Sequence, residues 1–169
     1  MYDIDIMRVS ACILVPRTLR IFEPHVHGGY EVHYVLSGRG AFELDAQRIG
    51  VKRGDFFYTR PGTMHRMVVP DGEYLLQYIA VLELHPIDDA ALAEDLEAML
   101  GEGRVRRLGD RYHALFAQMS RQALSIDARQ RRAASARMAG FLYDLMSDTP
   151  SASGSHPAVE QALEFMRSH

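Results

Sequence analysis

The stretch from about Met7 to Leu84 alternates short β-prone runs with turn residues, and this pattern constrains the fold more than any other feature of the chain. Predicted strands include residues 30–36, 41–45, 48–51, 56–59, 65–69 and 74–84, and most of the breaks between them carry glycine or proline. Because many short antiparallel strands follow one another without a helix, residues 1–86 are predicted to form a small barrel or jelly roll.

After residue 86 the apolar residues recur at the spacing of amphipathic helices. Asp88 or Asp89 is a candidate N-cap for a first helix that ends at Gly101, a second helix is predicted to start near Asp110, and Asp127 is a candidate cap for a third. The last two helices carry the apolar residues Tyr112, Leu115, Phe116, Met119, Met138, Phe141, Leu142, Leu145 and Met146.

The short link at residues 123–127 favours an antiparallel helical hairpin within the segment 87–146. The apolar stripes of the pair are broad enough to cover each other and one further surface. That surface is either the barrel of the same chain or a second copy of the hairpin in a dimer. Periodicity alone does not choose between these alternatives.

Residues 147–156 are polar and rich in serine and glycine, which is typical of a linker. A new amphipathic helix is predicted for residues 157–169, with Pro157 in its first turn. We expect this segment to be the first helix of a truncated further domain, and a C-terminal helix docked on the rest of the chain is the alternative.

Three histidines and one glutamate in the predicted barrel are of the types that bind a divalent metal. On a strand, His25 and His27 project from one face about 7 Å apart. Glu31 follows the glycine pair at 28–29, which suits a turn or bulge that redirects the chain. His65 comes from a separate hairpin, and closure of a barrel would bring it to the other three. The four are predicted ligands of a divalent transition metal, namely Zn, Ni, Fe, Mn or Cu.

Three neutral imidazoles and one carboxylate would leave a divalent ion with a net charge of about +1 and with open coordination positions. The alternative is a metal-free cluster satisfied by hydrogen bonds between glutamate and histidine. His33 lies two residues beyond Glu31, so it is predicted to face the same interior as a ligand-binding or supporting residue. The remaining histidines are predicted to be surface or packing residues: His85, His113, His156 and His169.

Composition excludes several classes of function. Of the 169 residues, 47% are hydrophobic and 24% are charged, as in an ordinary globular protein. The net charge of -3 gives no overall attraction to nucleic acid or anionic lipid. A single cysteine, Cys12, cannot form an internal disulfide, and no apolar run is long enough for a signal peptide or membrane span, so we expect a cytoplasmic protein. Motifs of serine hydrolases, phosphate loops and dinucleotide sites are absent from the sequence.

The histidine-containing segments resemble the two cupin motifs. His25-x-His27-x3-Glu31-x6-Gly38 resembles the first motif, and the stretch from Gly54 to His65 resembles the second, with Val69 where the motif ends in asparagine. The resemblance implies a double-stranded β-helix barrel in which His25, His27, Glu31 and His65 hold a metal.

A narrower likeness extends over nearly the whole chain. Residues 30–38, the turn at 53–55, the helical hairpin and the helix at 157–169 resemble the sensor half of an AraC-type transcriptional regulator. The resemblance implies a barrel that binds a small effector, a hairpin that forms a homodimer, and contact with DNA only through a domain that this chain lacks. In such a fold, Tyr58 and Tyr78 lie on strands near the cluster and are further candidate ligand-binding residues.

Two functions follow as hypotheses. The first is a small-molecule sensing and dimerisation domain of a transcription regulator, without catalytic residues and without a membrane partner. The second is a stand-alone metal-dependent cupin enzyme, a dioxygenase or an isomerase. A metal-free binding module is a third and weaker alternative.

Overall fold

In the computed structural model the described residues are 7–17, 23–44, 47–84, 94, 98, 101 and 104–147. They form a β barrel followed by two helices. The strands are β1 (Met7–Arg17), β2 (Tyr30–Leu44), β3 (Gln47–Lys52), β4 (Asp55–Thr59), β5 (His65–Val68), β6 (Leu75–Leu84) and β7 (Arg106–Arg107). The helices are α1 (His113–Ala123) and α2 (Ala128–Ser147).

Among the described residues the strands pair in antiparallel fashion, and β2 is common to both faces of the barrel. Its first half lies in a sheet of order β1-β6-β2-β4-β7, and its second half pairs with β3 and β5. The two sheets therefore close around one interior. This arrangement confirms the predicted mainly β fold, a cupin-type double-stranded β-helix barrel with helices after it.

The segment Ser37–Gly40 is a bend within β2, whereas the sequence predicted a turn between two strands. The register between β2 and β6 shifts between Val35 and Ser37, and Gly38 adopts a φ of 80°. A Cβ atom at Gly38 would lie only 1.9 Å from the carbonyl oxygen of Tyr74. Glycine at this position therefore allows β2 to cross from one sheet to the other.

Two apolar clusters lie on opposite faces of the first sheet. One fills the barrel interior and consists of Val35, Phe42, Leu44, Val51, Phe57, Met67, Val69 and Leu75. The other lies between the outer face of the sheet and the helices, and it includes Val32, Tyr34, Phe56, Tyr58, Tyr78, Phe116, Met138 and Phe141. Because strand side chains alternate between faces, the first half of β2 contributes Val32 and Tyr34 to the outer cluster and Val35 to the inner one.

The apolar stripes of α1 and α2 are covered by the barrel of the same chain, which was one of the two predicted alternatives. Phe116 of α1 stacks on Tyr34 with ring centroids 4.7 Å apart and also contacts Phe141 of α2. The two helices pack against each other across residues 124–127, as a hairpin would. The predicted cap is confirmed, because Asp127 Oδ1 accepts a 2.8 Å hydrogen bond from the Arg129 backbone amide.

Other predictions fall partly or wholly outside the described residues. Glu94 and Ala98, within the first predicted helix, are helical and exposed, but the bounds of that helix lie outside the described range. The predicted linker lies outside the described range beyond Ser147, as does the whole helix at 157–169.

Neither α1 nor α2 combines the length and the apolarity that a bilayer crossing requires. Cys12 is buried in the cluster beneath the helices, and desolvation raises the pKa of its thiol to about 12.

Candidate metal centre

The four predicted ligands meet at one end of the barrel interior. His25, His27, Glu31 and His65 each offer one ligand atom, and these atoms lie within 4.8 Å of one another. Glu31 and His65 are buried, while His25 and His27 are half-buried at the rim. The site therefore has a buried floor and a side that solvent can reach.

Backbone hydrogen bonds hold the two halves of the cluster together. His25 and His65 form an isolated antiparallel bridge, with reciprocal N–H to carbonyl bonds of 3.0 Å. The Gly62 amide donates to the carbonyl of His27 at 2.9 Å, which ties the turn before β5 to the first histidine segment. Residues that are 40 positions apart in the sequence are thus fixed by main-chain contacts rather than by side-chain packing alone.

The sequence predicted a regular strand for the segment that carries His25 and His27. The structure instead shows an irregular segment in which His25 forms an isolated β-bridge. The alternation of side chains still holds, because Val26 between them is exposed and the two imidazole centroids are 4.9 Å apart. Gly29 then passes close to β6, where a Cβ atom would lie 2.5 Å from the carbonyl oxygen of Leu82. This close approach lets the chain enter β2 with Glu31 directed inward.

Main-chain carbonyls fix the tautomers of two histidines. His25 Nδ1 lies 2.9 Å from the carbonyl oxygen of Glu23, and His65 Nδ1 lies 2.9 Å from that of Thr63. A carbonyl oxygen only accepts hydrogen bonds, so each Nδ1 carries a proton and each neutral ring keeps its lone pair on Nε2. Metal-binding histidines are held in this way in proteins.

The position of Glu31 makes the cluster electrostatically incomplete without a cation. Glu31 Oε2 lies 2.6 Å from His27 Nε2 and 2.9 Å from His65 Nε2. With Nδ1 protonated, a neutral His65 would direct a lone pair at a carboxylate oxygen, which is repulsive. Either a second proton on the imidazole or a metal ion resolves this contact.

The Glu31 carboxyl stays ionised in this setting. Its burial alone would raise the pKa, but the hydrogen bond with His65 and the attraction to the protonated forms of His33, His27 and His65 together lower the pKa to about 2. An ionised carboxylate and imidazoles with free Nε2 lone pairs are the forms that coordinate metals. The four side chains therefore fit a divalent transition metal, and the structure selects no particular one.

His33 lies deeper in the barrel, as its spacing from Glu31 predicted. It is 1% exposed, stacks on Phe57 with centroids 4.5 Å apart, and its Nε2 is 3.7 Å from Glu31 Oε1. Burial lowers the pKa of His33 to about 4, against the opposing effects of the Glu31 charge and of Gln77. No hydrogen bond of ordinary geometry joins His33 to Gln77. His33 is thus a neutral ring directly below the cluster.

The structure does not bring Tyr58 and Tyr78 to the cluster. Both belong to the apolar layer between the sheet and the helices, on the face of the sheet opposite to His33. Tyr58 is opposite Val32 across β2 and β4, and neighbouring residues on these strands point the other way. Their predicted role in ligand binding has no support from this placement.

Sequence reasoning missed three residues near the cluster. Thr59 is opposite Glu31 in the β2–β4 pair and is fully buried, as is Gln77 of β6. The charge of Arg17, at the end of β1, acts on both Glu31 and His33. The alternation of side chains along one strand could not reveal these three residues, because their positions depend on the register between strands that are distant in the sequence.

Residues 9–146 match the family described as AraC-like ligand binding domain. Among curated proteins, a 60-residue stretch is 35% identical to acireductone dioxygenase of Puccinia graminis f. sp. tritici and covers 32% of this chain and 33% of that protein. A 37-residue stretch is 43% identical to an uncharacterised protein of Methanocaldococcus jannaschii, covering 22% of this chain and 30% of the relative. The chain therefore spans about a third of the length of these curated relatives.

Two solved structures are similar to parts of this chain. A predicted oxalate decarboxylase from Thermotoga maritima shares 25% identity over 44% of this chain and 65% of its own, with a TM-score of 0.39. A Cupin 2 conserved barrel domain protein from Salinispora arenicola shares 23% identity over 49% of this chain and 70% of its own, with a TM-score of 0.40.

Proposed function

The chain belongs to the AraC-like ligand-binding domain family, and from this we propose that it senses a small molecule as the effector-binding and dimerisation part of a transcription regulator. The observation that carries the proposal is the extent of the family match, which includes the strands from Val9 onward and both described helices. A barrel and a helix pair in one unit supply the two parts that such a sensor needs, a binding site and an output surface.

The geometry supports a metal-assisted form of sensing. A divalent ion held by the cluster would offer open coordination positions to an anionic effector. Because His25 and His27 are half-buried at the rim, a small molecule can approach the cluster from solvent. The protein's own contribution is to keep Glu31 ionised and to fix the imidazoles through main-chain carbonyls.

Strand β2 connects the proposed binding site with the helices. Glu31 and His33 face the barrel interior, while Val32 and Tyr34 on the same strand face α1 and α2. Tyr34 stacks on Phe116 and donates a 2.7 Å hydrogen bond to the carbonyl of Gly109, just before α1. A shift of β2 on effector binding would therefore displace the helix layer, which is how an effector could bias two arrangements of the domain.

DNA would be contacted through another part of the regulator, because the net charge of -3 gives this chain no overall positive charge that would attract phosphates. The proposal that this domain belongs to a transcription regulator is tested by reading the whole coding sequence of the gene. A coding sequence without a helix-turn-helix segment beside this domain would contradict it.

A metal-dependent enzyme is the second candidate function. It is favoured by the complete ligand set and by the 60-residue similarity to acireductone dioxygenase. Such an enzyme would use the open coordination positions of the ion to activate a bound oxygenated substrate. The sensor is preferred because the family match extends over far more of the chain.

The two candidates differ in the fate of the ligand. We expect small polar molecules to raise the melting temperature of the metal-loaded protein, since saturation at 100 times the dissociation constant adds about 2.7 kcal/mol of stability. Proton NMR of the same mixture should recover a sensor's ligand unchanged after prolonged incubation. Consumption of the ligand by the metal-loaded protein, but not by a variant lacking His27 and His65, would instead establish an enzyme.

Dimerisation is proposed for the outer surface of α2, because its apolar stripe is already covered by the barrel. Tyr143 is 43% exposed on this surface. We expect Tyr143→Arg to shift the protein from dimer to monomer in sedimentation velocity runs, with a circular dichroism spectrum that shows the domain still folded. Tyr74→Arg is the matched control, since Tyr74 is a comparably exposed tyrosine on the barrel and should leave the dimer intact. A monomeric parent protein would contradict the proposal.

A further inference from the structure

Three polar side chains line the barrel interior directly beneath the histidine cluster. His33, Thr59 and Gln77, named here the lumen patch, are each exposed by 1% or less. Thr59 is opposite Glu31 in the pairing of β2 with β4, and Gln77 is opposite Val35 in the pairing of β2 with β6. Since Glu31, His33 and Val35 share the inner face of β2, the lumen patch faces the same interior as the cluster.

The lumen patch has unused hydrogen-bonding capacity. Both ring nitrogens of His33, the hydroxyl of Thr59, and both amide atoms of Gln77 are buried without a hydrogen-bond partner among the described residues. Buried polar groups in proteins nearly always have partners, and an unpaired group is costly. Five such atoms in one region therefore indicate that a polar molecule completes the site.

The lumen patch presents groups that both donate and accept hydrogen bonds. The imidazole of His33 has two ring nitrogens, a hydroxyl both donates and accepts, and the amide of Gln77 offers two donors and an acceptor. An apolar ligand would leave all of these unpaired. A ligand hydroxyl matches them, because it too both donates and accepts.

Above the lumen patch the environment favours an anion. The cluster with a divalent ion would carry about +1, because three imidazoles are neutral and only Glu31 is negative. A cationic ligand would be repelled here, while a carboxylate would be attracted to the ion.

The region below the lumen patch is occupied by aromatic and apolar side chains, which bounds the ligand on this side. His33 stacks on Phe57 and lies 5.6 Å from the ring of Phe42, and the interior beyond them is filled by apolar side chains such as Met67. A ligand that enters from the rim can extend only as far as this aromatic floor. Short chains therefore fit better than sugars or aromatic compounds.

We propose that the lumen patch recognises the effector of this domain, and that the effector is a short-chain hydroxy acid. Its carboxylate is held at the cluster while its hydroxyl bonds to His33, Thr59 and Gln77. The inference rests on the proposed sensing function and names its ligand class. Thr59 and Gln77 act as specificity residues, and neither is a metal ligand.

Matched ligand pairs test the chemical class. Titration calorimetry of the metal-loaded protein compares lactate with propionate, malate with succinate, and both sets with glycerol. We expect the hydroxy acid of each pair to bind roughly tenfold or more tightly than its deoxy partner, and glycerol to bind far more weakly. Equal affinities within the pairs would overturn the inference.

Variants of the lumen patch test the location. Thr59→Val and Gln77→Leu remove polar atoms at similar volume, so we expect unchanged metal content, an equal or higher melting temperature, and roughly tenfold weaker binding of the hydroxy acid. Gln122→Leu on α1 is the control and should leave the affinity unchanged. Variants that lose stability but keep the affinity would show that the patch holds only buried water, which overturns the inference.

The ligand screen also separates this inference from the function on which it rests. If other small molecules bind saturably and hydroxy acids do not, the ligand class is wrong while sensing stands. If no class of small molecule binds to the metal-loaded protein, the sensing function and the inference both fail.

Discussion

Replacing His27 and His65 together with alanine should reduce the bound divalent metal from a stoichiometric amount to the background of the buffer. The two substitutions remove half of the ligand set, one from each of the segments that the His25–His65 bridge joins. Loss of an outer-shell partner alone costs roughly 10–100-fold in metal affinity, and the loss of two direct ligands should cost much more. The measurement is elemental analysis of tag-free protein after loading and dialysis.

The same variant should remain folded. The apolar cluster of the barrel interior and the cluster beneath the helices contain none of the four ligands, so the core persists without the ion. Circular dichroism and thermal melting check this expectation. His113→Ala is the control, because His113 is exposed on α1 and should change neither metal content nor melting temperature. Unaltered metal content in the double variant would contradict the metal centre, and complete unfolding would make the metal structural.

Replacing Phe116 with alanine should destabilise the domain by about 3–5 kcal/mol. The ring is fully buried at the meeting point of barrel and helices, where it stacks on Tyr34 and contacts Tyr78 and Phe141. Its removal leaves a cavity between the sheet and α1 that these large rings cannot fill without moving. Urea denaturation followed by circular dichroism gives the free energy of unfolding.

The loss should not depend on protein concentration, because Phe116 packs on the barrel of its own chain rather than on a second copy. A concentration-dependent loss would indicate that the helix layer is held mainly by dimer contacts. Leu124→Ala is the matched control, since Leu124 is 64% exposed after α1 and its truncation should change stability by less than about 0.5 kcal/mol.

Local features of the sequence predicted most of the elements. The β-prone runs and turns between residues 30 and 84 predicted the strands, and Asp127 predicted the start of α2. Residue type and spacing also selected the four cluster residues. These predictions succeed because strand alternation, turn conformation and helix capping depend on residues close to one another in the sequence.

Local features of the sequence did not predict structure that depends on contacts between distant segments. The segment 37–40 has the composition of a turn, yet pairing with β6 and the left-handed conformation of Gly38 make it a bend in one strand. Tyr58 and Tyr78 are predicted near the cluster, but the register of β2, β4 and β6 puts both on the opposite face. A one-residue change of register moves every side chain of a strand to the opposite face. Counting odd and even positions in the sequence therefore does not determine which face a side chain lies on.

The sequence by itself determined that this chain would form a mainly β barrel with amphipathic helices and would carry ligand atoms of the kinds that hold a transition metal. Only the tertiary structure decided that Glu31 lies between His27 and His65, that Thr59 and Gln77 lie below them with unpaired polar atoms, and that the helices cover the outer face of the sheet. The physical reason is that residue chemistry and periodicity belong to short segments, whereas the meeting of side chains across a barrel depends on strand register and closure.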